Sequence, residues 1–460
     1  MMPDSTNPVW TRRSVLKLGG WALGASALPS WAIAEAVDYE LTAAAGRVAV
    51  AGRDATLWTY SGAFPGPVLR LREGERVRLR LTNRLDEPTN LHLHGLHVSP
   101  EVDNPFLAVP PGGSTVYDFV VPDGSAGTYW YHPHMHGRVA RQLFAGLAGA
   151  LVVGGPLDDA GGLGDAEEFV VVLKDLSLVD GAPAPHSRFD WFSGKQGDLQ
   201  LVNGALRPRL TPRRAVIRLR LVNASNARYY RLQLDGHLFH LVATDGGLIE
   251  RPWLCRELLL APGERAEVLV RLRRRGEFAL LNLPYDRGTH AMGHGHGHAM
   301  PSAAAATPVT LLSIRAPQPT EPVRMPGRLR PVASLAGAPV DVVRQVVLSE
   351  GMMGRFLING RSFDPDRVDI RSALDGLEVW ELENRGGMDH PFHLHTYPFQ
   401  VLSRNGVAAP FAAWKDVVNL RPRDRVRIAI PLRDFGGRTV FHCHIAEHED
   451  RGMMGIAEIS

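Results

Sequence analysis

Four short histidine pairs constrain this 460-residue chain more than anything else in it. They read His92-Leu93-His94, His132-Pro133-His134, His393-Leu394-His395 and His442-Cys443-His444. Alternate residues of an extended strand point to the same side, so each pair aims two imidazoles at one place. Together they offer eight ring nitrogens, enough to hold several metal ions. Cys443, between two of those histidines, must face the other way. His390, His448 and Met453 lie close to it in sequence. Two imidazoles, one thiolate and a weak thioether form the ligand set of a blue-copper electron-transfer site.

In order and spacing the clusters resemble the multicopper oxidases, in particular their three-domain, laccase-like bacterial members. The resemblance covers nearly the whole chain after its first 36 residues. Carried over position by position, it implies four copper ions per chain. His390, Cys443, His448 and axial Met453 would hold the type 1 copper, and His92 and His393 the type 2 copper. His94, His132, His134, His395, His442 and His444 would hold the type 3 pair. The pattern departs from the family at Leu93, where an aromatic residue is frequent, and at Thr396, where glycine is. Relatives carry acids at the positions of Asp103 and Glu449, implicated in proton delivery, and a carboxylate near buried metal can relay protons. The rival at each position is a solvated acid or a salt bridge. Asp389 is read equally as a support for a ligand loop or as a plain loop residue.

A motif of strand repeats gives the fold class. Glu75-Arg-Val-Arg-Leu-Arg-Leu-Thr-Asn83 is echoed by Ala215-Val-Ile-Arg-Leu-Arg-Leu-Val-Asn223 and by Leu377-Glu-Val-Trp-Glu-Leu-Glu-Asn384. Each alternates apolar and polar residues, as a half-buried strand does, and each ends in Asn. A second echo joins residues 115–132, 265–281 and 425–442: an alternating strand, a glycine-containing turn, an apolar strand. In the middle copy that last strand carries no histidine. The expectation is an all-β chain of three consecutive units. The resemblance makes them cupredoxin-like Greek-key β-sandwich domains, over residues 37–157, 168–316 and 328–460. The first and third units would share the copper cluster, leaving the middle one a metal-free spacer.

The formal charge is +3, and three cations against one acid near the N-terminus account for most of it. The remainder is close to neutral, so no nucleic-acid-binding face is expected. Thr11-Arg12-Arg13-Ser14-Val15-Leu16-Lys17 resembles a twin-arginine export motif. A short apolar stretch and small-residue cleavage sites after Ala34 or Ala36 complete a signal over residues 1–36. The chain is therefore expected to use the twin-arginine machinery and to work in the periplasm. Of the two cysteines, Cys443 is claimed by copper and Cys255 reads as a small buried hydrophobe, so no disulfide is expected.

Residues 288–300 form a glycine-spaced run bearing His290, Met292, His294, His296, His298 and Met300. Imidazoles and thioethers bind copper, so the run is a candidate accessory copper site, against the alternative of a solvated loop. His97 and His136 fall outside ligand positions and are expected to hydrogen-bond or pack; His186, His237 and His240 are read as structural.

The reading that follows is an oxidase. It joins one-electron reductants (phenols, aromatic amines or Cu(I)) to the four-electron reduction of dioxygen to water. Electrons would enter at His448 or His390, whichever ring edge is exposed. The alternatives are a periplasmic copper-storage or tolerance protein and a structural cell-envelope protein. A two-domain nitrite-reductase arrangement is disfavoured by the four histidine pairs.

Overall fold

The computed structural model describes residues 36–158, 163–288, 307–317, 325–351 and 354–460. The expected signal segment and the candidate accessory copper run from His290 to Met300 lie outside the described residues. Among the described residues no helix is long and apolar enough to cross a membrane.

The architecture is three β-sandwiches in series, each of cupredoxin-like form. In the first, Val37–Val50 runs parallel to Arg76–Asn83, which pairs antiparallel with Ser114–Val120. The second repeats this with Glu167–Leu176, Val216–Asn223 and Arg265–Arg271. The third uses Val342–Glu350, Leu377–Asn384 and Arg425–Pro431. The facing sheets also correspond. Each contains one parallel pair: Gly66–Arg72 with Gly149–Gly154, Arg209–Leu210 with Val309–Ala316, and Ile370–Ser372 with Met454–Ile459.

The terminal asparagine of each repeated strand explains its recurrence. Asn83, Asn223 and Asn384 are fully buried and make the same three bonds. Each side-chain oxygen accepts from the backbone N–H two residues on (Leu85, Ser225, Gly386). Each amide donates to a carbonyl four or five residues on (Glu87, Arg228, Met388) and to one on a distant segment (Val109, Leu260, Leu420). One side chain thus turns the chain out of the sheet and ties it to another loop.

In the first unit the strand alternates as expected, with Val77, Leu79 and Leu81 inward. The middle copy corrects the expectation of a half-buried strand, because all eight residues of Val216–Asn223 are buried. Its polar face is covered by neighbouring chain. Arg218 and Arg220 both bond Glu267 and Asp158, and Arg220 also reaches Thr128 of the first unit at 3.2 Å. Paired and hydrogen-bonded charges can be buried there without an orphan. The first and third units are joined directly: Asp450 accepts from the Val139 and Ala140 N–H groups, capping the helix Val139–Ala145.

Candidate metal centres

The histidine pairs sit on paired strands, which sets their direction. His92–His94 pairs with Gly127–His132, so that His92 lies opposite His132. His390–Leu394 pairs with Gly437–Cys443, placing His393 opposite His442 and Phe392 opposite Cys443. Strand alternation sends His442 and His444 one way and Cys443 the other, as the sequence requires.

The eight imidazoles converge in three groups. His92 Nε2 faces His393 Nε2 at 3.3 Å. His134 and His395 each bring Nε2 to His442 Nε2, at 3.2 and 3.1 Å. His94 brings Nδ1 to within 3.3 Å of both His132 Nε2 and His444 Nε2. All eight rings are buried. Burial holds His442 down at about 4 and the other seven well below the usual imidazole range, so the rings are neutral.

The outer nitrogens test whether these groups fit metal. His393 Nδ1 donates to the Asp416 carbonyl at 2.8 Å, His132 Nδ1 to Pro133 at 2.9 Å and His442 Nδ1 to Cys443 at 3.0 Å. A carbonyl can only accept, so the proton lies on the outer nitrogen and the inner one is a bare lone pair. His92 donates in the same way to Asp103, and His94 to Asp416. Lone pairs facing one another at 3.3 Å repel unless a cation lies between them. These five neutral imidazoles, held from outside by carbonyls and carboxylates, are suited to copper, while His134, His395 and His444 have no hydrogen-bond partner on Nδ1 among the described residues.

On the other side of the strand, Cys443 Sγ lies 3.5 Å from His390 Nδ1 and 3.7 Å from His448 Nδ1, and those two nitrogens are 3.3 Å apart. Burial pushes the thiol far up, so a bound cation is what would favour the thiolate. Met453 is buried; its N–H bonds the His448 carbonyl and its carbonyl accepts from the Cys443 N–H. His448 rides on the short helix Ala446–Asp450.

One expectation is corrected here: neither His390 nor His448 presents a ring edge to solvent. His448 Nε2 donates to the Phe192 carbonyl at 3.1 Å, and Phe356 stacks on its ring at 3.9 Å between centroids. Phe192 belongs to the helix Arg188–Ser193, fixed by a Ser187–Asp190 capping box.

Asp103 is buried. Its carboxylate accepts from His92 Nδ1 at 2.8 Å and from the Leu93 N–H at 3.0 Å, and its Oδ2 lies 3.2 Å from His395 Nδ1. Glu449 is also buried, 3.2 Å from both His134 and His442, and burial raises its carboxyl well above the usual range. Asp389 accepts from Tyr285 and Asn419 at 2.5 and 2.7 Å, anchoring the loop before His390.

His97 bonds the Thr396 carbonyl at 2.7 Å, His136 packs on Phe363 and His186 bonds Glu447 at 2.9 Å. His237 bonds the Asp235 carbonyl, and His240 is partly exposed on a strand. Cys255 corrects another expectation, being half-buried at the margin of the middle core. Thr396 has a φ of +64°, the left-handed backbone that explains why glycine suits this position.

Sequence reasoning missed Asp416 and Arg265. Asp416 accepts from His94 Nε2 at 3.0 Å, and Arg265 forks onto it at 2.7 and 2.5 Å. Burial raises the Asp416 carboxyl to about 6 against the opposing pull of Arg265. Neither residue has a spacing signal.

The three sandwiches and the histidine groups define a class of copper-binding oxidoreductases, and sequence comparison agrees. Family models described as multicopper oxidase match residues 42–157, 183–300 and 338–459. The chain belongs to the multicopper oxidase family. It is 34% identical over 411 residues to the multicopper oxidase mco of Staphylococcus epidermidis, covering 87% of this chain and 83% of that one. A Campylobacter jejuni multicopper oxidase, described as a metallo-oxidase, superposes with a TM-score of 0.82 at 34% identity, over 92% of this chain and 91% of that one. The cell division protein FtsP of Salmonella typhimurium is 32% identical over 379 residues, covering 80% of this chain and 77% of that one.

Proposed function

We propose that the chain takes single electrons from a small reductant, a phenol, an aromatic amine or Cu(I), and reduces dioxygen to water. His390, Cys443, His448 and Met453 are assigned to the type 1 copper, and His92 and His393 to type 2. His94, His132, His134, His395, His442 and His444 are assigned to the type 3 pair, giving four coppers per chain. Bound copper would supply one-electron storage and the place where dioxygen is reduced. The first and third units provide these ligands between them, and residues 1–36 are proposed as a twin-arginine signal to the periplasm.

The observation that carries the reading is the arrangement of three consecutive residues. Cys443 Sγ points at His390 and His448, while His442 and His444 point into two different imidazole groups. A few covalent bonds of main chain therefore join the electron-accepting thiolate to both halves of the other site. A storage protein needs no such link. Asp103 fixes the His92 proton on Nδ1, and Asp103 and Glu449 are proposed to pass protons into the pocket. The buried rings keep bulk water out.

Oxygen uptake with a phenol and with Cu(I), on copper-loaded protein, tests the reading. Wild type should consume one dioxygen for every four electrons delivered. Cys443→Ser should lose the intense blue absorption and the uptake while keeping copper at the imidazole groups. Copper binding without oxygen uptake from either donor would favour the storage alternative and sink the oxidase.

A further inference from the structure

We propose that Arg265, from the metal-free middle unit, is a positioning residue for the imidazole pocket: it holds Asp416 so that the carboxylate accepts a hydrogen bond from His94 Nε2–H, which keeps the proton on Nε2 and leaves Nδ1 as the ligand atom. The proposal deepens the copper assignment and rests on it for the role of His94.

His94 is the odd member of the pocket. The other seven rings face it with Nε2, and His94 alone uses Nδ1. A neutral imidazole carries one proton, so Nδ1 is a ligand only while the proton sits on Nε2. Asp416 Oδ1, 3.0 Å away, is the acceptor that keeps it there. The other inner rings whose tautomers are fixed by carbonyls need no such help, because those acceptors belong to the main chain beside them.

The Asp416 carboxylate has little freedom, and Arg265 is the reason. All five guanidinium N–H groups are matched. Nε donates to the Thr128 carbonyl at 3.2 Å. One terminal nitrogen bonds the Gly263 carbonyl at 3.1 Å and Asp416 Oδ1 at 2.7 Å. The other bonds the Asp245 carbonyl at 3.0 Å and Asp416 Oδ2 at 2.5 Å. The arginine side chain is 0% exposed and that of Asp416 3%. Thr128 belongs to the first unit, Gly263 and Asp245 to the second and Asp416 to the third, so one planar group gathers all three. Lysine offers three donors from a point and cannot reproduce this fork.

Two glycines show how closely the arginine and the turn before it fit. A Cβ on Gly95, next to His94, would strike both the Arg265 guanidinium and the Asp416 carboxylate. A Cβ on Gly263, in the turn that leads into the strand starting at Arg265, would lie 2.7 Å from the His444 ring. Both glycines have positive φ, +87° and +83°. The middle unit therefore forms a wall of the pocket without giving it a ligand.

The test uses the full chain with Arg265→Lys and, separately, Asp416→Asn. The first readout is the His94 tautomer in metal-free protein, from long-range 1H–15N correlation of the ring. Wild type should show a single Nε2–H form. Arg265→Lys should give a mixture. Asp416→Asn should also give a mixture, because a single amide oxygen replaces the two that Arg265 and His94 share, and either end of the amide can face His94. The second readout is copper held against a chelator. Arg265→Lys should release copper from the imidazole groups about 10–100-fold more readily while the blue absorption persists. Blue absorption certifies that the variant has folded. If Arg265→Lys yields no folded protein, Asp416→Asn alone decides. An unaltered Nε2–H tautomer in the folded variants overturns the proposal. Wild type binding fewer than four coppers would instead count against the copper assignment, and the metal-free readout would still decide the role of Arg265.

Discussion

Phe356 lies flat on the His448 ring, 3.9 Å between centroids and 17° from parallel, and both residues are buried. With the Phe192 carbonyl on its Nε2, this histidine is closed to direct contact with a reductant. Electrons entering here must cross a layer of protein. Removing Phe356 should thin that layer at a cost in stability. Phe356→Ala is expected to lose about 3–5 kcal/mol on unfolding, as buried Phe truncations do. It should also bleach the blue band faster with a bulky phenol under anaerobic conditions. Denaturant titration and stopped-flow absorbance read the two effects; slower or unchanged bleaching would mean that reductant enters by another face.

Asp103 accepts a hydrogen bond from His92 and lies 3.2 Å from His395 Nδ1, so it touches both sides of the proposed cluster. Asn at this position keeps the shape but exchanges one acceptor oxygen for a donor. Either His92 or His395 then meets an N–H group. Asp103→Asn is expected to slow oxygen turnover with every reductant by about 10–100-fold. Anaerobic reduction of the blue site should stay near wild type, since Cys443 lies on the opposite face of its strand. Equal slowing of both would remove Asp103 from the oxygen chemistry.

How much of this was legible in the chain follows from how local each signal is. The alternation in His442-Cys443-His444 is a property of three residues, so both sides of the strand could be assigned without a structure. The terminal asparagines were visible as a repeat, although their bonding was not. Asp416 and Arg265 carry no such mark. They lie 151 positions apart and meet only because three units pack together. The burial of Val216–Asn223 was hidden for the same reason: alternation reports one sheet, and the covering came from neighbouring chain. The closure of His448 depends on Phe192, 256 residues away.

Thr396 offers a test of backbone strain beside a ligand. Its φ of +64° is costly for a β-branched residue. Its hydroxyl has only a 3.4 Å contact to Thr439, while its carbonyl, which any residue retains, holds His97. Thr396→Gly is therefore expected to stabilise the fold by about 1 kcal/mol. Copper content should be unchanged, because the adjacent His395 keeps its direction. A lower urea midpoint would show that the lost packing outweighs the relief.

Lys174 gives a pH dependence of defined sign. It is fully buried in the middle unit, its Nζ bonded to the Ala224 carbonyl at 3.2 Å, and burial lowers its pKa to about 8. In the unfolded chain a lysine titrates near 10.4. Between those values the unfolded state binds more protons, so the contribution of this residue to stability rises with pH. Below pH 8 the folded protein carries the whole cost of a buried ammonium. From pH 8 to pH 10 that cost should fall by about 2 kcal/mol. Lys174→Met removes the titration and leaves the remaining groups in place. The difference in unfolding free energy, wild type minus Lys174→Met, should therefore climb by about that amount across the window. Subtraction matters because the many buried tyrosines act oppositely. Burial raises their folded pKa values, so their ionisation favours the unfolded chain at high pH. A flat difference between pH 8 and pH 10 would mean that Lys174 reaches solvent or a carboxylate partner in the folded state.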